Sequence, residues 1–152
     1  MQLTAFSDYA LRILMYLAIT GDRLVPTREI AEQQGLSFDH IAKVAQFLAR
    51  QGYIEASRGR SGGVRLALSP ADISIGEVLR RSEAGSAVVE CLRNGKVSCK
   101  LAGFCGLTPI LADATEAFFA TLDGRSLADA LPSFIPHRAA LGLDHLGKVA
   151  AH

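Results

Sequence analysis

The sequence predicts a mostly α-helical fold: a winged helix-turn-helix, then a long second amphipathic helix, with a cysteine-bearing loop between them. Three observations carry this expectation. Apolar residues recur at helical spacing in several segments that glycines and prolines separate. One segment rich in strand formers and glycine, YIEASRGRSGGVRLALS, interrupts the helices. All three cysteines fall in one stretch, ECLRNGKVSCKLAGFCGL, with neither a helical nor a strand period.

The elements follow in order. In TAFSDYALRILMYLAIT, Phe6, Ala10, Ile13, Leu14 and Leu17 share one helical stripe, and Thr4 or Ser7 can cap it. GDRLVP ends that helix. TREIAEQQG then reads as a short helix with Thr27 as N-cap and Gly35 as stop. LSFDHIAKVAQFLARQG follows, with Ser37 as N-cap, an inward stripe of Ile41, Val44, Ala45 and Leu48, and Gly52 as stop. A short helix, a tight turn and a second helix form a helix-turn-helix pattern.

Two strand-like arms come next, Tyr53 to Ala56 and Val64 to Leu68, around a turn whose glycines permit positive φ. Arg58 and Arg60 sit at its tip. A hairpin directly after a helix-turn-helix is a wing, and basic wing tips reach into the minor groove or clamp phosphates. A solvated hairpin would account for the arginines but not for their place in the chain. ISIGEVLRRSE predicts a helix with Ile75, Val78 and Leu79 inward. LTPILADATEAFFATLDG predicts a long helix with Leu107, Ile110, Leu111, Ala114, Ala117, Phe118 and Leu122 on one stripe and small or apolar residues on another face. Such a helix needs more than one packing partner, and a second subunit can be one of them. GRSLADALPSF closes the helical part.

The 152 residues, 49% hydrophobic and 20% charged, suffice for one or two small domains. The expected division is a DNA-binding winged helix over 1–70, a helical dimerisation region over 71–135 with a loop at 90–107, and a tail over 136–152. No apolar run is long enough to span a bilayer and no signal segment opens the chain, so a cytoplasmic location without a membrane partner is expected. Net charge is +1, but from His40 to Pro70 there are five basic residues (Lys43, Arg50, Arg58, Arg60, Arg65) against Glu55 alone. A local basic patch of this kind suits the phosphates of double-stranded DNA. Ser37, Phe38, His40 and Lys43, at the start of the second helix of the motif, are the expected base and phosphate contacts. Thr27 and Arg28 begin the preceding helix, where free N–H groups favour a phosphate. Arg58, Arg60 and Ser61 complete the expected grip. No nucleophile–base pair or phosphate-binding glycine loop points to an enzyme, since GRSGG lacks the Lys-Ser/Thr of a P-loop.

The cysteines are spaced Cys-x7-Cys-x5-Cys at Cys91, Cys99 and Cys105. An odd number fits poorly with a disulfide framework. Zinc sites usually show closer cysteine pairs. Thiolates around an iron–sulfur cluster are more variably spaced, and Gly95, Gly103 and Gly106 give the backbone freedom to wrap one. Lys96 and Lys100 would offset thiolate charge. Redox-active thiols, or one disulfide with a spare thiol, are the plain alternatives.

Three stretches, MQLTAFSDYALRILMYLA, SRGRSGGVRLALSPADISIGEVLR and CKLAGFCGL, resemble the NsrR/IscR family of bacterial winged-helix regulators, from Met1 to about Pro132. The resemblance implies a homodimer that crosses long helices and binds palindromic operator DNA. It is closer to the nitric-oxide-sensing repressors of the family than to the IscR type, whose histidine ligand of a [2Fe–2S] cluster is here replaced by Thr108. It therefore implies a [4Fe–4S] cluster on Cys91, Cys99 and Cys105, with Asp8 of the other subunit as fourth ligand and nitric oxide as signal. Regulation by iron, redox state or cluster supply, a [2Fe–2S] cluster, and a zinc-stabilised DNA-binding module are the alternatives. Taken without the resemblance, Asp8 is an acid in the first turn of a helix, favourable against the helix dipole. The four histidines, His40, His137, His145 and His152, are candidate ligands by chemistry only, and the place of His40 early in its helix points it to DNA instead. Gly106 stands where many relatives carry Arg.

Overall fold

The structure is a computed structural model, and it describes residues 2–57, 59, 62–93 and 97–131. Arg58, Arg60 and Ser61 of the wing, Gly95 and Lys96 of the loop, and the tail with His137, His145 and His152 lie outside the described residues.

Helix α1 (Ala5–Thr20) is the centre of the core. Thr4 caps it, its Oγ1 accepting the Ser7 N–H at 3.3 Å. The predicted stripe is correct: Ala10, Ile13, Leu14 and Leu17 are fully buried, and Phe6 packs edge-on against Phe47 with ring centroids 5.2 Å apart. Helix α2 (Thr27–Gln34) begins differently from the expectation. Pro26, not Thr27, holds the N-cap position, and no side chain caps the helix. Proline supplies the extended entry backbone, which moves Thr27 into the first turn. Glu29 in that turn instead accepts the hydroxyl of Tyr16 and the guanidinium of Arg23, both at 3.0 Å. Gly35 ends α2 in the left-handed region at φ 63°, as its identity predicts.

Helix α3 (Phe38–Arg50) buries Ile41, Val44, Ala45 and Leu48, as expected. Ser37 occupies its N-cap position but its side chain makes no capping bond. Strands β1 (Ile54–Ser57) and β2 (Gly63–Leu66) pair antiparallel, Ile54 opposite Leu66 and Ser57 opposite Gly63. The predicted arms are thus slightly displaced. Tyr53 lies before β1 because its N–H still bonds the Leu48 carbonyl at the end of α3, at 3.0 Å. Val25 joins β2 through two 2.9 Å bonds with Val64. The backbone of Val25 comes so close that a Cβ on Gly63 would stand 2.7 Å from its carbonyl atoms.

A 3-10 turn (Pro70–Asp72) leads to α4 (Ile75–Ser82), capped by Ser74. Here too one expectation needs correction. Val78 and Leu79 are buried, but Ile75 is only half-buried, and Ile73 takes its place in the core. Ile73 precedes the cap and Val78 is the fourth helical residue, the positions of a hydrophobic staple. Helix α5 (Leu107–Asp123) crosses α4 at Gly76, where a Cβ would lie 2.4 Å from the Asp123 nitrogen. Arg80 of α4 clamps it, reaching Glu116 at 2.6 and 2.8 Å and Asp123 at 2.8 Å. The short α6 (Leu127–Ala130) sends Leu127 into the core with Ile73 and Val78. At the other end of α4, Glu83 accepts the Thr4 N–H and hydroxyl at 2.8 and 2.9 Å, and Ser82 meets buried Ser7 at 2.8 Å.

Candidate nucleic-acid interface and cysteine loop

The turn at Gly35 places the start of α3 beside the start of α2. The Arg28 guanidinium lies 5.0 Å from the centre of the Phe38 ring, close enough for a cation–π contact. Arg28, Ser37, Phe38, His40 and Lys43 are all exposed, and Thr27 is half-buried. His40 stacks loosely over Tyr9 of α1, 6.4 Å between ring centroids. With Lys43, these two rings line an open cleft between α1 and α3. Arg28 of α2 thus meets Phe38 of α3, while His40 and Lys43 line the cleft beside Tyr9. Tyr9 was not foreseen; its only signal was an aromatic on the less buried side of the first helix. Arg65 is a weaker contributor to the basic patch than its count suggests, because it pairs with Glu55 across the hairpin. Between the strands, Gly59 takes φ 115° and accepts the Gly62 N–H at 3.0 Å. That conformation favours glycine.

Asp8 stands in the first turn of α1, half-exposed, paired with Arg12 one turn on at 2.9 Å. The i,i+4 spacing made Arg12 legible as its partner. All three cysteines are free thiols. Cys91 sits in a 3-10 turn (Glu90–Leu92), and its Sγ is 3.5 Å from the Thr108 hydroxyl of α5. Cys105 directly precedes α5, and its thiol is held below the usual range by the Leu107 N–H, then by the hydroxyl and N–H of Thr108. Hydrogen bonds at a helix start favour the anionic sulfur. Cys99 is exposed. Glu90 closes the segment between the first two cysteines by accepting the Ser98 N–H and hydroxyl, both at 2.9 Å. Those bonds hold the Glu90 carboxyl below its ordinary range. Among the described residues no three His, Cys, Asp or Glu side chains are gathered as a metal site. The donor chemistry nevertheless suits iron: free thiols on a turn-rich segment, one already biased towards thiolate.

Among the described residues, the segment between Cys99 and α5 carries exposed apolar side chains. Phe104 is 95% exposed and Leu101 64%. Helix α5 has no buried residue, and Leu107 and Ile110 are largely exposed.

A family model described as Rrf2, iron-dependent transcriptional regulator, matches residues 3–133. The chain belongs to the Rrf2 family. This Rrf2 chain is 42% identical over 130 residues to the HTH-type transcriptional regulator NsrR of Bacillus subtilis, covering 85% of itself and 89% of that protein. It is 43% identical over 131 residues to the HTH-type transcriptional repressor NsrR of Streptomyces coelicolor, covering 85% and 87%. Among solved structures, an IscR from T. potens superposes with a TM-score of 0.68 at 25% identity, over 88% of each chain. The global cysteine regulator CymR of B. subtilis shares the fold, with a TM-score of 0.65 at 24% identity over 88% of this chain and 98% of its own. The resemblance read from the sequence and the mostly helical winged fold are both correct. The Rrf2 chain is a transcriptional regulator and not an enzyme. No helix among its described residues is long and apolar enough to cross a membrane.

Proposed function

We propose that this protein is an iron–sulfur-dependent repressor that binds operator DNA as a homodimer and releases it in response to nitric oxide. The observation that supports this most is the set of three free thiols on the segment leading into α5, in a chain about two-fifths identical to regulators named NsrR. Cys91, Cys99 and Cys105 would hold a [4Fe–4S] cluster, with the Asp8 carboxylate of a second copy as fourth donor. When bound, the cluster supplies iron that nitric oxide can ligate, most readily where an oxygen donor leaves it weakly held.

The chain's own residues do the rest. Residues 71–135 dimerise and sense, with the exposed Leu107 and Ile110 of α5 covered by the second subunit. Residues 1–70 read DNA. Thr27 and the N–H groups beginning α2 take a phosphate, while Arg28, Ser37, Phe38, His40 and Lys43 address the major groove and its edges. Arg58, Arg60 and Ser61 hold the backbone or the minor groove. Asp8 ties α1 of one subunit to the loop of the other, fixing two recognition helices about 34–36 Å apart, one turn of DNA. Once that tie is lost, Arg12 retains the carboxylate and the spacing is no longer held. Silencing a repressor a hundredfold requires about 3 kcal/mol.

The test is anaerobic purification followed by a nitric-oxide titration, reading the visible spectrum and binding to a duplex selected by the protein itself. A brown protein that bleaches and leaves DNA in step supports the reading. A brown protein that bleaches but stays bound overturns nitric oxide as the signal and favours iron or cluster supply, in keeping with the iron-dependence in the family description. A colourless zinc protein overturns the cluster. In Asp8→Ala, a coloured protein whose DNA binding no longer answers nitric oxide is the expected outcome. An unchanged response would place the fourth ligand elsewhere.

A further inference from the structure

The three thiols are not equivalent. Cys91 lies in the 3-10 turn that packs against the start of α5. Its sulfur rests 3.5 Å from the Thr108 hydroxyl. Cys105 is one turn before Thr108, and its carbonyl accepts the Thr108 N–H at 3.3 Å. Cys105 lies just outside α5, and its thiol also shares a hydrogen bond with the Thr108 hydroxyl. One hydroxyl thus stands beside two sulfurs that are distant in sequence. Cys91 and Cys105 are both half-buried there, whereas Cys99 is exposed. Glu90 does draw Ser98 close, but that contact is made by the neighbours of Cys91 and Cys99 and not by their sulfurs.

We propose that in the metal-free chain Cys91 and Cys105 are a redox pair that peroxide closes into a disulfide, leaving Cys99 as the free thiol. One sulfur takes an oxygen atom from hydrogen peroxide, becoming a sulfenic acid as the first water leaves. The second thiol attacks that sulfur, the S–S bond forms, and its proton and the hydroxyl depart as the second water. The two sulfurs together lose the two electrons that reduce the peroxide O–O bond. A dithiol reductant reverses the step by exchange. The closed chain has one thiol to offer a metal instead of three, so the disulfide acts as a checkpoint on cofactor loading. Thr108 is the positioning residue that holds the pair together.

This inference needs only the thiols and stands or falls separately from the nature of the cofactor or its signal. The sequence makes it directly readable. Trypsin cuts after Arg93, Lys96 and Lys100 and so places each cysteine on its own peptide. The full-length chain, reduced and stripped of metal with a chelator, is treated with stoichiometric hydrogen peroxide, alkylated with iodoacetamide and digested without reduction. The expected product joins the Cys91 and Cys105 peptides, with Cys99 alkylated. A bridge containing Cys99, a bridge between two chains, or oxidation to sulfinic acid with no bridge overturns the proposal. Cys99→Ser should form the same bridge at an unchanged rate. Thr108→Val, which keeps the shape and removes the hydroxyl, should form it several-fold more slowly. An unaltered rate in that variant removes Thr108 from the device.

Discussion

Helix α1 and helix α5 are of similar length, 16 and 17 residues, and similarly apolar, yet they end in opposite situations. Helix α1 is packed on nearly every side, and nine of its residues are buried. Helix α5 buries none. Within the chain the first helix is surrounded by α3, α4, α6 and β2. The second is gripped by α4 through Gly76 and Arg80 and touched at its start by the 3-10 turn of Cys91, yet it stays largely exposed. The same kind of sequence pattern thus produces a finished core in one place and an uncovered apolar face in the other. Periodicity reports how many faces are apolar, not which chain covers them.

The sharpest way to break this comparison is a pair of substitutions. Leu14→Ala should cost about 2–5 kcal/mol in denaturant unfolding, because Leu14 is fully buried. Ile110→Glu should leave the unfolding of the α1 core nearly unchanged while weakening self-association, read by sedimentation, at least tenfold. If Ile110→Glu unfolds the chain as Leu14→Ala does, α5 belongs to the core after all. Gly76→Ala comes next, since the added methyl meets the backbone of Asp123 as well as its carboxylate, and the backbone cannot swing aside. A loss of roughly 1–3 kcal/mol is expected, again by denaturant unfolding. A neutral Gly76→Ala would mean that α4 and α5 separate easily.

Arg60→Ala should leave stability alone. It should weaken operator binding and lower the salt dependence by about one counterion, measured from the slope of log K against log salt. A preserved slope would count against the wing. The smallest effect concerns Glu83, which ties α4 to the cap of α1. Burial pushes its carboxyl up, but bonds from the hydroxyl of Ser7, the N–H and hydroxyl of Thr4, and the hydroxyl of Ser86 together bring it below the ordinary value. A lowered pKa stabilises the fold above the unfolded-state value, and the contribution fades as pH falls through the folded one. Glu83→Gln should therefore cost about 1 kcal/mol near neutrality, with a difference from wild type that shrinks on acidification. A gap that grows in acid would contradict the assignment.

Much of the fold was legible because it rests on local rules. The stripes of α1 and α3, the stop at Gly35 and the hairpin all follow from spacing and glycine placement. The errors lie where two local signals compete. Thr27 is a good cap in isolation, but Pro26 before it already sets the entry backbone. Ile75 and Ile73 are both apolar beside Ser74, and only the start of the helix at Ile75 decides that Ile73 turns inward as the staple. The meeting of Arg28 with Phe38 was accessible from the motif, because a tight turn forces two helix starts together. The juxtaposition of Thr108 with Cys91 was not. It depends on how the chain returns after α4, and no periodicity encodes a return path. The Arg80 clamp was hidden for the same reason, although Glu116 and Asp123, two turns apart on one helix, are the spacing a forked guanidinium can bridge.

That clamp makes α5 a cantilever. The helix is about 25 Å long, and Arg80 bolts it down at Glu116 and Asp123, in its C-terminal part. The end carrying Leu107, beside Cys105, lies beyond the clamp and is touched there by the 3-10 turn of Cys91. In a beam fixed at one end, deflection under a given load grows with the cube of the free length, so the overhang is the compliant part and the bolted part is stiff. A force applied at the cysteine end would therefore meet α4 first at Arg80, and Glu83 links α4 in turn to the cap of α1.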